Sequence, residues 1–211
     1  MKMDKRTFKI IIAYDGTDFL GWQVQPKGIT VFSCLTNSFK NAFGSIPTII
    51  GPSRTDSGVH AFSYVAALRT SLKIGHEEIR KIWNFSLPET ISIKSIELVD
   101  DNYSPRNGIK EKVYQYHIFT KRPLPFLARF GWHYRFIDNV DLDKLEKALK
   151  TFEGRHEFRD FCKVDAGEKV NTIREIHSMS LERIKRFGVL RITAKAPGFL
   201  RYQIRRMVGA A

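Results

Sequence analysis

The segment Val189-Leu190-Arg191-Ile192-Thr193-Ala194-Lys195 constrains the fold more than any other. Leu190, Ile192 and Ala194 alternate with Arg191, Thr193 and Lys195. Successive side chains of a strand point to opposite faces, so this pattern predicts a strand, over 188–195, in a sheet with one wet face. Such a strand needs neighbours in a sheet and a layer packed on its apolar side.

The rest of the chain offers both. Phe8–Tyr14 is rich in β-formers and stops at Asp15-Gly16. Val31, Leu35, Phe39 and Ala42/Phe43 recur at helical spacing over 31–43. Residues 48–50 read as a strand ending at Gly51-Pro52, and 61–69 as another. Residues 77–85 read as a short helix with Ile79, Ile82 and Trp83 on one face, broken at Leu87-Pro88. Ile91, Ile93 and Ile96 then mark a strand. The polar run 100–108, with Pro105 and Gly108, predicts a boundary between two halves, 1–104 and 105–211. In the second half, 113–119 is strand-like. Asp141 predicts the cap of a helix whose buried stripe is Leu142, Leu145, Leu149 and Phe152. Asp143–Lys147 and Glu146–Lys150 pair along it, and Gly154 ends it. Residues 172–182 predict a further strand, and a last helix is expected from Phe199, with Arg201 and Arg205 on one face. No sequence repeat proves duplication. The economical fold is α+β: two halves, each with helices on one side of an antiparallel sheet.

Charge separates the halves. Residues 1–104 carry 12 basic and 10 acidic groups, whereas residues 105–211 carry 23 and 12. A basic excess held mostly in one half points to a polyanionic partner, most often nucleic acid, although a solvated basic face gives the same count. No apolar run reaches the roughly 18 residues that span a bilayer. The charged start, Met1–Arg6, is not a signal peptide. Cys34 and Cys162 are far apart and form no CxxC, which fits a reducing cytoplasm. The six histidines show no metal-ligand spacing, so a zinc site is not expected.

Four segments carry candidate chemistry. Gly51–His60 is a loop between strands that holds Asp56 beside Arg54. It reads either as a turn with a local ion pair or as a site whose carboxylate is kept ionised by a cation for attack at neutral pH. Tyr14–Gln23 reads as strand, glycine turn and buried Trp22, a mostly structural role. Tyr114 and Tyr116 share one strand face, where rings can either pack in the core or stack on a nucleobase. Phe199–Gly209 places Arg201, Arg205 and Arg206 within six residues, suited to phosphates, to a buried charge partner or to plain solvation.

Taken together these segments resemble the TruA family of tRNA pseudouridine synthases over the whole length. The match lies in YDGTxFxGWQ at Tyr14–Gln23, RTDxGVHA at Arg54–Ala61, Pro105-Arg106 leading to KxYxY at Lys112–Tyr116, and FLxxxxRxxVG at Phe199–Gly209. The chain departs from the family pattern at Ser53, Ser57, Phe32 and Gln203, and it stops at Ala211 where family members continue for tens of residues.

The resemblance implies a catalytic aspartate at Asp56. It implies supporting roles for Tyr114 against the target base, for Arg54 in flipping the uridine out, and for Arg205 in pairing with the aspartate. Thr55, His60, Arg106, Phe199 and Arg201 are implied substrate contacts, together with Tyr114 and Arg54. The implied fold joins the sheets of two similar halves, with the active cleft between them. The implied protein is a cytoplasmic homodimer that binds tRNA, acts on uridine at the 3′ side of the anticodon arm, and needs no cofactor or metal. A noncatalytic RNA-binding protein on the same scaffold is the alternative. It is expected to have lost at least one of Asp56, Tyr114 and Arg205, and all three are present. A truncated form of a longer protein is a further expectation.

Overall fold

The computed structural model describes residues 5–211. They fold into two compact units, one ending at Gly108 and the other beginning at Ile109. The boundary expected from the sequence, 104/105, lies within the same polar run.

The first unit runs β1 (Arg6–Tyr14), α1 (Val31–Phe43), β2 (Thr48–Ile50), β3 (Ala61–Thr70), α2 (His76–Ser86) and β4 (Ile91–Val99). Its antiparallel sheet has the order β2-β3-β1-β4. Alternate residues of β1 (Phe8, Ile10, Ile12 and Tyr14) are buried, and α1 and α2 supply Val31, Leu35, Phe39, Ile79 and Trp83 to the same core. Helix α1 starts where expected because Thr30 accepts from the Ser33 amide while Ser33 Oγ accepts from the Thr30 amide. Gly44, in the left-handed region, ends it. Ile82 does not join Ile79 and Trp83 in the core and is more than a third exposed.

The second unit runs β5 (Lys112–Phe119), β6 (Trp132–His133), α3 (Leu142–Lys150), β7 (Gly154–Glu157), β8 (Ile173–Ile176), β9 (Ser178–Ile184), β10 (Val189–Ala196) and α4 (Gln203–Ala210). Its main sheet has the order β6-β5-β10-β9, with the short β6 parallel to β5 and the other pairs antiparallel. The alternation in β10 is as expected: Leu190, Ile192 and Ala194 are buried, and Arg191, Thr193 and Lys195 are not. Asp141 caps α3 through the Asp143 and Lys144 amides, and Glu146 pairs with Lys150.

Three local expectations fail here. The single strand expected over 172–182 is two. β8 pairs with β7 in a separate ribbon and β9 pairs with β10, because the chain changes partners at His177, whose amide donates to Lys195 O. Helix α3 ends at Lys150, and Gly154 instead opens β7 with φ +93°. The last helix begins at Gln203, not near Phe199. Tyr202 adopts φ +65°, the one positive φ of a non-glycine among the described residues, and this left-handed turn interrupts the helix. Arg201 therefore lies in the turn before α4, and the Arg201/Arg205 helix face does not exist.

Candidate active site

The loop that carries Asp56 is laid against the segment that follows β1. Trp22 N donates to Thr55 O at 3.1 Å, and Gly58 N donates to Phe19 O at 3.2 Å. Ser57 Oγ adds a bond to the same Phe19 carbonyl. The approach requires glycine. A Cβ on Gly21, which sits at φ +84°, would lie 2.4 Å from Thr55 O and 3.0 Å from the Asp56 carbonyl carbon. A Cβ on Gly16 would lie 2.0 Å from Val59 O. The YDGTxFxGWQ segment is thus a mould for the aspartate loop, a role that its reading as a strand, a turn and a core Trp missed. The two glycines were the available signal.

Side chains fix the loop at four further points. Tyr64, on β3, donates to Ser53 O. Tyr14 and Thr55 share a hydroxyl–hydroxyl hydrogen bond of 3.0 Å. His60 Nδ1 accepts from Gly16 N at 3.1 Å and lies 3.0 Å from Asp15 Oδ1. Arg106 Nε donates to Gly51 O at 3.0 Å. The hydroxyls stand on a buried aromatic platform. Trp22 and Tyr64 are stacked with centroids 4.1 Å apart, and Tyr14 lies 6.0 Å from Tyr64. Ser53 and Thr55 are bound to this platform, while Arg54 between them is exposed and Asp56 is partly buried. Of the expected substrate contacts, Thr55, His60 and Arg106 all engage their own unit.

The second unit gathers a second group. Tyr114, on β5, meets Phe199 edge to face at 5.1 Å. Phe199, Leu200, Ile204 and Val208 pack against the core, where Gln203 and Met207 are fully buried. Gln203, which stands where the family pattern has an apolar residue, satisfies itself locally. Its Oε1 accepts from Leu200 N at 2.8 Å, and its amide nitrogen faces Met207 Sδ at 3.8 Å. The Tyr202 ring lies beneath two guanidinium groups, Arg205 at 4.7 Å and Arg201 at 5.1 Å. Arg201 also bonds Asp165 at 3.1 Å, and Arg206 bonds Asp160 O and Cys162 O. Lys112 is two residues before Tyr114 on β5, and its burial pushes the ammonium below the ordinary lysine value. Burial likewise raises the Cys34 thiol, and both cysteines are free.

The chain is similar to known proteins. A family model described as tRNA pseudouridine synthase matches residues 148–211. The tRNA pseudouridine synthase A of Thermodesulfovibrio yellowstonii is 33% identical over 211 residues, covering 95% of this chain and 82% of that protein. The tRNA pseudouridine synthase A of Aquifex aeolicus is 34% identical, over 95% of this chain and 81% of that protein. That of Clostridium botulinum is 37% identical over 97% of this chain and 82% of that protein. The chain belongs to the tRNA pseudouridine synthase A family.

Proposed function

We propose that this chain isomerises uridine to pseudouridine at the 3′ side of the anticodon arm of tRNA, with Asp56 as the catalytic carboxylate. The observation that carries the reading is the position of Asp56. It is partly buried on a loop fixed by backbone bonds and four side-chain contacts, in a chain 33% identical to a named synthase. The reaction breaks the N1–C1′ bond, turns the uracil, and joins C5 to C1′. The C5 proton leaves and N1 gains one, so atoms and electrons balance without an oxidant or a cofactor. One carboxylate acts on the nucleoside, as a nucleophile or as a base on the sugar.

The other residues take roles that follow from their places. Tyr114, steadied by the edge of Phe199, stacks on the detached base so that it turns without leaving. Arg54, which is exposed, supports a flipped-out uridine. Arg205 supports the chemistry of the aspartate. Thr55, His60 and Arg106 shape the loop, and Phe199 and Arg201 line the base and phosphate side. The basic residues of 105–211 bind the phosphates. In this reading the enzyme is a cytoplasmic homodimer.

The test is incubation with unmodified tRNA transcripts, followed by mapping of pseudouridine at nucleotide resolution. New pseudouridine in the anticodon arm, absent with Asp56→Asn, is the expected result. tRNA binding with no pseudouridine at any position makes the chain a binder only.

A further inference from the structure

We infer that Tyr14 is a positioning residue for catalysis: its hydroxyl, through Thr55, fixes the backbone that aims Asp56. The inference rests on the reading of Asp56 as the catalytic carboxylate. Three observations carry it. Tyr14 is almost wholly buried at the end of β1, and its hydroxyl lies 3.0 Å from Thr55 Oγ1, one residue before Asp56. The Tyr14 ring is held in the Trp22/Tyr64 cluster, at 6.4 and 6.0 Å, so the hydroxyl is a fixed post rather than a mobile partner. The backbone of the same Thr55 is held independently, by Trp22 N at 3.1 Å. Main chain and side chain of the residue before Asp56 are therefore both anchored, the one to the segment after β1 and the other to the last residue of β1.

A catalytic group displaced by a fraction of an ångström loses rate without losing substrate, because binding is shared among many contacts and chemistry is not. The hydroxyl pair therefore acts on turnover. The ring of Tyr14 serves the core and its hydroxyl serves the loop, so the two functions can be separated by one atom. Ser38 provides the comparison. It accepts a buried hydrogen bond from Trp83 Nε1 at 2.9 Å in the same core. Removing that bond destabilises the unit without touching the loop.

The experiment compares Tyr14→Phe, Thr55→Val, Thr55→Ser, the Tyr14→Phe/Thr55→Val double variant and Ser38→Ala. Single-turnover pseudouridine formation, tRNA affinity, melting temperature and amide exchange over residues 55–59 are measured on each. Tyr14→Phe and Thr55→Val are each expected to slow the single-turnover rate about tenfold, the size of one hydrogen bond expressed in the barrier. Affinity stays at the wild-type value, and the 55–59 amides exchange faster. The double variant falls no further than either single, and Thr55→Ser keeps the wild-type rate. Ser38→Ala melts lower and turns over normally. A Tyr14→Phe rate equal to wild type with unchanged exchange overturns the inference, and so does a double variant whose losses multiply. A wild-type protein that forms no pseudouridine overturns the catalytic reading instead, while unaltered loop exchange in Tyr14→Phe overturns the positioning role even then.

Discussion

The two groups of candidate site residues are built by opposite means. In the first unit, backbone meets backbone, and the Asp56 loop lies so close to Gly16 and Gly21 that no side chain fits between. In the second unit, side chain meets side chain. Tyr114 leans on Phe199, and two guanidinium groups share the Tyr202 ring. A moulded loop has one geometry and fails abruptly when altered. A surface of rings and cations weakens by degrees, because each contact is modest and partly replaceable. Chemistry that needs one carboxylate in one place suits the first construction, and recognition shared over a large polyanion suits the second.

Substitutions test this contrast. The largest effect is expected for Asp56→Asn, which lowers single-turnover pseudouridine formation by roughly a thousandfold or more while leaving tRNA affinity nearly unchanged. A variant with residual activity near wild type removes Asp56 from the chemistry. Next is Gly21→Ala. The new methyl must displace the Thr55 carbonyl from a left-handed position, at a cost of about 1–3 kcal/mol in stability. Activity at a temperature where the variant is fully folded should fall as well. Normal activity there shows that the mould is not needed.

Effects in the second unit should be graded. Tyr114→Phe keeps the ring against Phe199 and is expected to lower turnover about tenfold, with affinity held. Equal turnover in the two proteins removes the hydroxyl from the mechanism. Arg201→Ala leaves turnover at saturating tRNA intact and lowers the slope of log affinity against log salt by roughly 0.7–0.9, the share of one phosphate contact. An unchanged slope places Arg201 off the RNA.

The smallest effect concerns Lys112. Its folded pKa lies below the unfolded value, so the unfolded chain binds more protons across the interval between them. Stability therefore rises with pH through that alkaline window, and the charged lysine is a slight burden below it. Lys112→Met should raise the neutral-pH melting temperature by a few degrees at most and flatten the alkaline rise. A lower melting temperature shows that the ammonium has a compensating partner.

Regular elements were legible because their cause is local. Thr30, Asp141 and the alternation of β10 act within a few residues. The errors sit where a single buried side chain or a distant strand decides. Tyr202 is turned out of the helix where the buried Gln203 side chain bonds Leu200 N, and His177 splits a strand by binding Lys195 O. The same division holds for the site. Asp56 stands out in the sequence because its loop is compact and rich in turn residues. The work of Tyr14 does not, and Gly16 and Gly21 signal a close approach without naming its partner, because that partner lies some forty residues away.

The sheet of the first unit also dictates an order of assembly. Its apolar strand β1 is synthesised before its partners yet sits between them, with Phe8 opposite Leu68 on one side and Leu98 on the other. Until β3 leaves the ribosome both edges of β1 are unpaired, and until β4 follows one still is. An Ile10-Ile11-Ile12 segment with open edges is a template for mispairing, and closing loops of this length slows the search for the right partner. The Asp56 loop belongs to the first of those closures, since it joins β2 to β3 and leads directly into the strand that pairs with β1. The nascent chain can therefore lay its aspartate loop against Gly16 and Gly21 while the sheet that supports it still lacks β4, with the Arg106 bond added later.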